Sequence, residues 1–330
     1  MKGRVSCLDR QVAQVFGSEN DCAAAYNVAG NAERSEQVHD RCTRGFRKPG
    51  VLPSRGCRHM ICTWVRTVVV TLIPLVGAGC ATPARDFSAR ATALGLQRDV
   101  VPGSDFHHVV FRRFPGGSRT LHVYIDGDGM PWGAWRPAAD PTPRNPMVLE
   151  LMARDSEPSL YLGRPCYHGL ARTPPCTSAF WTSQRYSEAI VASMAAALRQ
   201  LLAATHIERL IWLGYSGGGT LAVLLAARFP ESAAVVTVAA NLDIDVWADW
   251  HGYPRLVGSL NPARLRPLPA GIHQRHYVGD RDRVIPSYVV TQGAADATSV
   301  TVIANYDHVC CWIDMWPRIL RDVDKMAGAD

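Results

Sequence analysis

Between Arg209 and Phe229 the sequence specifies a sharp change of chain direction. Arg209 to Gly214 has the length and apolar character of a buried strand, and Gly219 to Phe229 is an Ala- and Leu-rich helical pattern stopped by Pro230. Little more than Tyr215-Ser216-Gly217-Gly218 separates them. So tight a strand-to-helix turn holds its central residue in a strained conformation, and the glycines on both sides of Ser216 let neighbouring backbone come close. The serine oxygen then stands above the sheet edge at the positive end of a helix dipole. Gly-x-Ser-x-Gly alone arises by chance, and the flanking strand and helix give it weight. A glycine-rich packing turn is the bland alternative. A phosphate loop is disfavoured, because no Gly-Lys-Ser/Thr follows.

The same alternation runs through residues 81–330. Phe106–Phe114, Thr120–Ile125, Ser159–Leu162, Ala233–Ala239, Gln274–Val278 and Val300–Ala304 read as strands, and Pro146–Arg154, Ser187–Ala204 and Trp316–Met326 as helices. This order predicts an α/β fold: one domain with a mainly parallel central sheet covered by helices on both faces. The segment 241–268 is long for a connection and carries Trp247, Trp250 and Tyr253. It is expected to be a lid-like insertion, its aromatics either lining an acyl or aryl substrate pocket or packing the insertion onto the body.

A nucleophilic serine needs a base, and the base an orienting carboxylate. Two downstream loops supply them, each just after a predicted strand. Gly279-Asp280-Arg281-Asp282-Arg283-Val284-Ile285-Pro286 offers the acid, and Asn305-Tyr306-Asp307-His308 offers the base. Catalytic groups of parallel sheets gather at the carboxyl ends of the strands, where these would meet Ser216. The chain order is Ser216, Asp282, His308. That order, with the strand–turn–helix context, resembles the α/β-hydrolase fold superfamily over residues from about 95 to 330, in a bacterial lipoprotein-like serine hydrolase branch. The resemblance implies a Gly-x-x-Asp-x-x-x-Pro-like acid segment, which selects Asp282 over its competitor Asp280, and an aromatic soon after the histidine, matched by Trp312.

It also implies an oxyanion hole built from two backbone donors. One is the N–H of Gly217. The other comes from Tyr124-Ile-Asp126-Gly127-Asp128-Gly129-Met130, similar to a His-Gly-x-Gly loop with Asp126 in place of the His, and falls at Asp128. Two carboxylates beside an oxyanion are electrostatically awkward, and a plain Gly-Asp turn is the alternative. The implied activity is that of a serine hydrolase (carboxylesterase- or lipase-like) acting on a small-molecule or lipid ester without a cofactor. An acyltransferase on the same triad and a non-catalytic cell-envelope binding protein are the competing readings.

The net charge of +6 raises the question of nucleic acid. From Ala81 on there are 24 Lys/Arg against 23 Asp/Glu, so the excess lies upstream and no basic stripe remains for a nucleic-acid partner. Upstream, Thr67 to Gly79 is an uncharged, mostly apolar run of thirteen residues behind Arg66, too short to span a bilayer comfortably. It reads as a secretory signal over 60–80, and Gly77-Ala-Gly-Cys80 resembles a lipoprotein cleavage box with Gly77 where Leu is usual. The expectation is export to the cell envelope with Cys80 as lipid carrier facing the periplasm, and no protein partner is implied. Ordinary cleavage to a soluble periplasmic protein is the alternative. An export signal belongs at an N-terminus, so residues 1–59 are expected to be a mis-assigned or disordered extension and Met60 the true start. An oxidising compartment permits a Cys166–Cys176 bridge. Cys310 and Cys311, being adjacent, form either a vicinal bridge or separate thiols. The cysteine spacing fits no usual zinc pattern, so no metal site is expected.

Overall fold

A computed structural model describes residues 82–327 apart from 115, 116 and 266. The expected extension 1–59, the alternative start Met60, the signal-like 60–80 and the lipid carrier Cys80 lie outside the described residues.

Helix α1 (Pro83–Ala93) starts on Thr82, whose side chain accepts from the Arg85 N–H, with Pro83 in the first turn where no donor is needed. Then come β1 (Gln97–Pro102), β2 (His107–Arg113), β3 (Thr120–Ile125), α2 (Met147–Met152), β4 (Ser159–Leu162) and α3 (Glu188–Leu202). The second half holds β5 (Arg209–Tyr215), α4 (Gly217–Ala226), β6 (Ser232–Val238), α5 (Ile244–His251), β7 (His273–Gly279), α6 (Ser287–Gly293), β8 (Val300–Ile303) and α7 (Trp312–Ala327). The eight strands form one sheet in the order β1-β2-β4-β3-β5-β6-β7-β8. β2 runs antiparallel to both its neighbours, and every other pair is parallel.

Alternation along the central strands explains why both faces are buried. Leu121, Val123 and Ile125 of β3 with Leu210 and Trp212 of β5 pack against Val191, Met194 and Leu198 of α3 and Leu221 and Leu225 of α4. Tyr124, Ile211 and Leu213 turn to the other face, against Phe87 of α1, Leu149 of α2 and Trp312, Trp316, Ile319 and Val323 of α7. The period of two on each strand thus feeds two helical layers, as a doubly covered parallel sheet requires. The consequence for the site is that β3 to β8 all release their chains at one edge of the sheet.

The differences from expectation have local causes. Helix α4 begins at Gly217 rather than Gly219, and α7 at Trp312 rather than Trp316 with Pro317 inside it. The apolar stripe Trp312, Trp316, Ile319 and Val323 carries α7 past the proline, burial outweighing propensity. Helix α1, strand β1 and helices α5 and α6 lack a sequence-level expectation. β1 is a mostly exposed edge strand, Gln-Arg-Asp followed by Val-Val-Pro, and shows no alternation of polar and apolar residues. The insertion 241–268 opens as a regular helix, α5, capped by Asp243, whose side chain accepts from the N–H groups of Asp245 and Val246, and closed by Gly252 in the left-handed region at φ 67°.

Candidate active site

At the end of β5 the chain turns through Ser216, whose backbone sits at φ 52°, ψ −128°, the strained conformation that the turn demands. Close packing explains its glycines. A Cβ on Gly218 would run into the carbonyls of Ile125 and Asp126, and one on Gly214 into the backbone of Gly218 and Gly219. The turn is anchored by the Ser216 N–H donating to the Val238 carbonyl at 2.9 Å. No side chain caps the start of α4, so its first N–H groups are open to the site.

His308, in the loop after β8, lies with Nε2 3.1 Å from Ser216 Oγ and Nδ1 2.8 Å from Asp282 Oδ2. Its main chain is pinned from two sides. Tyr215 donates its hydroxyl to the His308 carbonyl at 3.0 Å, and Trp312 Nε1 donates to the carbonyls of Asp307 and His308 at 3.1 and 3.2 Å. Asp282 is buried and divides its oxygens. Oδ1 accepts from the N–H groups of Val284 and Ile285 at 2.9 and 2.8 Å, leaving Oδ2 for the histidine. Asp280 is exposed and accepts from the Asn305 N–H at 2.7 Å, a bond that ties two loops together away from His308. The structure therefore brings Ser216, Asp282 and His308 into one hydrogen-bonded line and leaves Asp280 out.

The loop after β3 approaches from the opposite side. A Cβ on Gly127 would meet that of Ser216, and one on Gly217 would strike the Asp128 carboxylate and the Tyr186 hydroxyl. The N–H groups of Gly217 and Asp128 have no acceptor among the described residues. The Asp128 carboxylate is gripped by Arg164 at 2.8 Å, Arg185 at 2.7 Å and the Tyr186 hydroxyl at 2.7 and 2.8 Å. Burial pushes this carboxyl up, and the charges of Arg185 and Arg164 with the Tyr186 bond outweigh it and hold it below the usual carboxylate range. The carboxylate expected to oppose an oxyanion is thus compensated by two cations. Asp126 differs. Burial raises it to about 7 against the Gly127 N–H, the Arg164 charge and the Tyr161 hydroxyl.

Arg164, Arg185 and Tyr186 carry no sequence-level expectation. The one signal for Arg164 is a charged residue two positions after the fully buried β4, at the carboxyl edge where sites form. Arg185 and Tyr186 precede α3 in an irregular stretch that gives no hint.

The insertion's aromatics gather around His251. Tyr253 stacks on its ring at 4.9 Å, Trp250 meets it edge-on at 4.4 Å and Trp247 at 5.3 Å. Trp247 Nε1 and His251 Nε2 both bond the Val284 carbonyl at 2.9 Å, two residues from Asp282, and the Arg185 guanidinium lies 6.0 Å over the Trp247 ring. Packing onto the body accounts for Trp247, whereas Trp250 and Tyr253 stay about half exposed. Cys166 and Cys176 are bridged, with Cα atoms 5.5 Å apart, in the loop after β4. Cys310 and Cys311 are also joined, just beyond His308.

Residues 165–270, from the loop after β4 to the approach to β7, match the sequence signature of the family described as alpha/beta hydrolase fold. No curated protein sequence matches the chain. Among solved structures the chain is similar to an esterase from Pyrococcus furiosus, with TM-score 0.51 and 12% identity over 72% of this chain and 93% of that one. It is also similar to a candidate lipase from Acinetobacter baumannii, with TM-score 0.50 and 13% identity over 76% of this chain and 98% of that one. Identities this low speak to fold alone. Strand order, strand-to-helix turn and matched segment together give this chain the α/β-hydrolase fold.

Proposed function

We propose that the chain is a serine hydrolase for ester-like acyl substrates, carboxylesterase- or lipase-like, with Ser216 as nucleophile, His308 as base and Asp282 as orienting acid. The observation that carries this is the unbroken line from Asp282 Oδ2 through both ring nitrogens of His308 to Ser216 Oγ. His308 takes the serine proton as Oγ attacks the carbonyl carbon, and Asp282 stabilises the imidazolium. The oxyanion is held by the N–H groups of Gly217 and Asp128, with the arginine-compensated Asp128 side chain no longer opposing it. The tetrahedral species collapses as the carbon–oxygen bond to the leaving alcohol breaks and His308 gives that oxygen its proton. Water, deprotonated by His308, then attacks the acyl-enzyme and releases the acid and Ser216.

A fluorophosphonate probe tests the reading directly. It should label the unaltered chain at Ser216 and fail on Ser216→Ala, and an unlabelled wild-type chain would favour a binding protein that keeps the fold. Products formed in water against added alcohols separate hydrolysis from acyl transfer. We also propose from the Gly77–Cys80 box that Cys80 is lipidated after export. Complete recovery in a detergent-free periplasmic fraction would remove the anchor.

A further inference from the structure

We propose that the loops around Ser216 form a docking face for a lipid bilayer bearing anionic headgroups, so that the ester is drawn from a membrane. What is drawn rests on the hydrolase reading, and the docking itself does not.

Exposed apolar side chains scattered singly are ordinary, and a concentration around a site is not. Here they crowd the sheet edge where the parallel strands end. Trp132 and Trp135 follow β3, Trp250, Tyr253 and Val257 follow β6, and Val309 adjoins His308, with Trp135 76% and Val257 79% exposed. The two leading tryptophans stand on a built platform. Trp132 and Pro137 form an antiparallel bridge, closed by Gly133 N–H to the Arg136 carbonyl at 2.8 Å and Ala138 N–H to the Pro131 carbonyl at 3.0 Å. The Met130 N–H fixes its base on the Pro141 carbonyl at 3.0 Å. Such a hairpin presents its aromatics outward instead of folding them over the site.

Charge then selects the occupant. Arg136 and Arg144 on the same loop, and Arg281 and Arg283 after β7, are exposed and form no ion pair among the described residues. Of the insertion's three carboxylates, Asp249 pairs with Arg255 and Asp245 with Arg264, and Asp243 caps α5 and accepts from Asn261. Tryptophan and tyrosine interleaved with exposed arginines outside any ion pair suit the headgroup layer of an anionic bilayer, where the rings bury their bodies and the guanidinium groups meet phosphate. The chain's own course agrees. The Ala84 N–H donates to Asp140 Oδ2 at 3.3 Å, so α1, which begins three residues after Cys80 in the sequence, starts against the tryptophan-bearing loop.

The test uses the full chain with Cys80→Ser, which carries no lipid, sedimented with phosphatidylcholine–phosphatidylglycerol vesicles and with phosphatidylcholine vesicles alone. Binding should favour the mixed vesicles and weaken with salt. Trp132→Ser/Trp135→Ser should lower it by about tenfold or more, with Tm and turnover of a water-soluble short-chain ester unchanged. Quenching by brominated acyl chains should fall in that double variant even where residues 67–79 add to total binding. Ser216→Ala should bind vesicles as the parent does. Undiminished binding and quenching in the double variant, or no preference for the anionic vesicles, overturns the proposal and leaves the face to a protein partner. Absence of ester turnover in the parent with vesicle binding intact would instead sink the hydrolase reading.

Discussion

The two walls of the site are built on opposite plans. The turn at Ser216 is made almost entirely by its own neighbours: glycines at 214, 217, 218 and 219, the strand before and the helix after. The loop from Asp126 to Gly129 depends on distant groups, since Asp128 is held by Arg164, Arg185 and Tyr186, which approach from beyond β4 and from the start of α3. A wall made by sterics tolerates no added atom. One made by charge compensation tolerates shape changes better than it tolerates the loss of a partner.

The largest expected effect lies in the turn. Ser216→Ala should lower turnover by about 10⁴-fold or more, and His308→Ala by as much, because the two act as a unit. Asp282→Asn should cost somewhat less and exposed Asp280→Asn little, and the reverse ranking in ester assays would move the acid role to Asp280. Next comes the place where the walls touch. Gly217→Ala should reduce kcat by about 10²-fold or more, because its methyl group displaces the Asp128 carboxylate and the Tyr186 hydroxyl beside the proposed oxyanion donor. An active Gly217→Ala enzyme would mean that the walls are not in register at that point.

In the loop itself, Asp128→Asn keeps the shape and removes the charge. It leaves two buried arginines without their anion, and unfolding in urea should register a loss of about 3 kcal/mol. No loss would make the loop as self-contained as the turn. Asp126→Asn gives the smallest change and a sign of its own. A carboxyl whose folded value is raised to about 7 binds a proton on folding, so its contribution is full below about pH 4 and is lost as pH rises toward 7. Asp126→Asn should flatten that slope, on the order of 1–2 kcal/mol across pH 5–7. Parallel stability curves for the two proteins would show that Asp126 is ionised throughout.

This contrast also explains what the sequence discloses. Ser216, Asp282 and His308 are legible because each follows a short apolar strand, and a parallel sheet delivers such ends to one edge. Thr120–Ile125 and Ser159–Leu162 have the expected bounds because both are buried on both faces. The charge on the loop is not legible. Asp126 and Asp128 look alike in the sequence, and what parts them is the arrival of Arg185 and Tyr186 more than fifty residues later. The ends of helix α5 are legible in the sequence, with Asp243 before it and Gly252 after.

The approach of Gly279 to Tyr306 has a consequence for how such a chain can vary. A Cβ on Gly279 would collide with the Tyr306 carbonyl, and the Asp280 and Arg281 N–H groups donate to the Ile303 and Tyr306 carbonyls at 3.0 and 2.9 Å. The segments carrying the acid and the base are therefore stitched backbone to backbone, and neither can grow without dragging the other. The connection from Gly252 to Gly271 is under no such restraint over its exposed stretches. Residues spliced in near Gly271 should be accepted, whereas a single one added between Gly279 and Asp282 should part Asp282 from His308. Variation in length has its open ground in the exposed approach to β7.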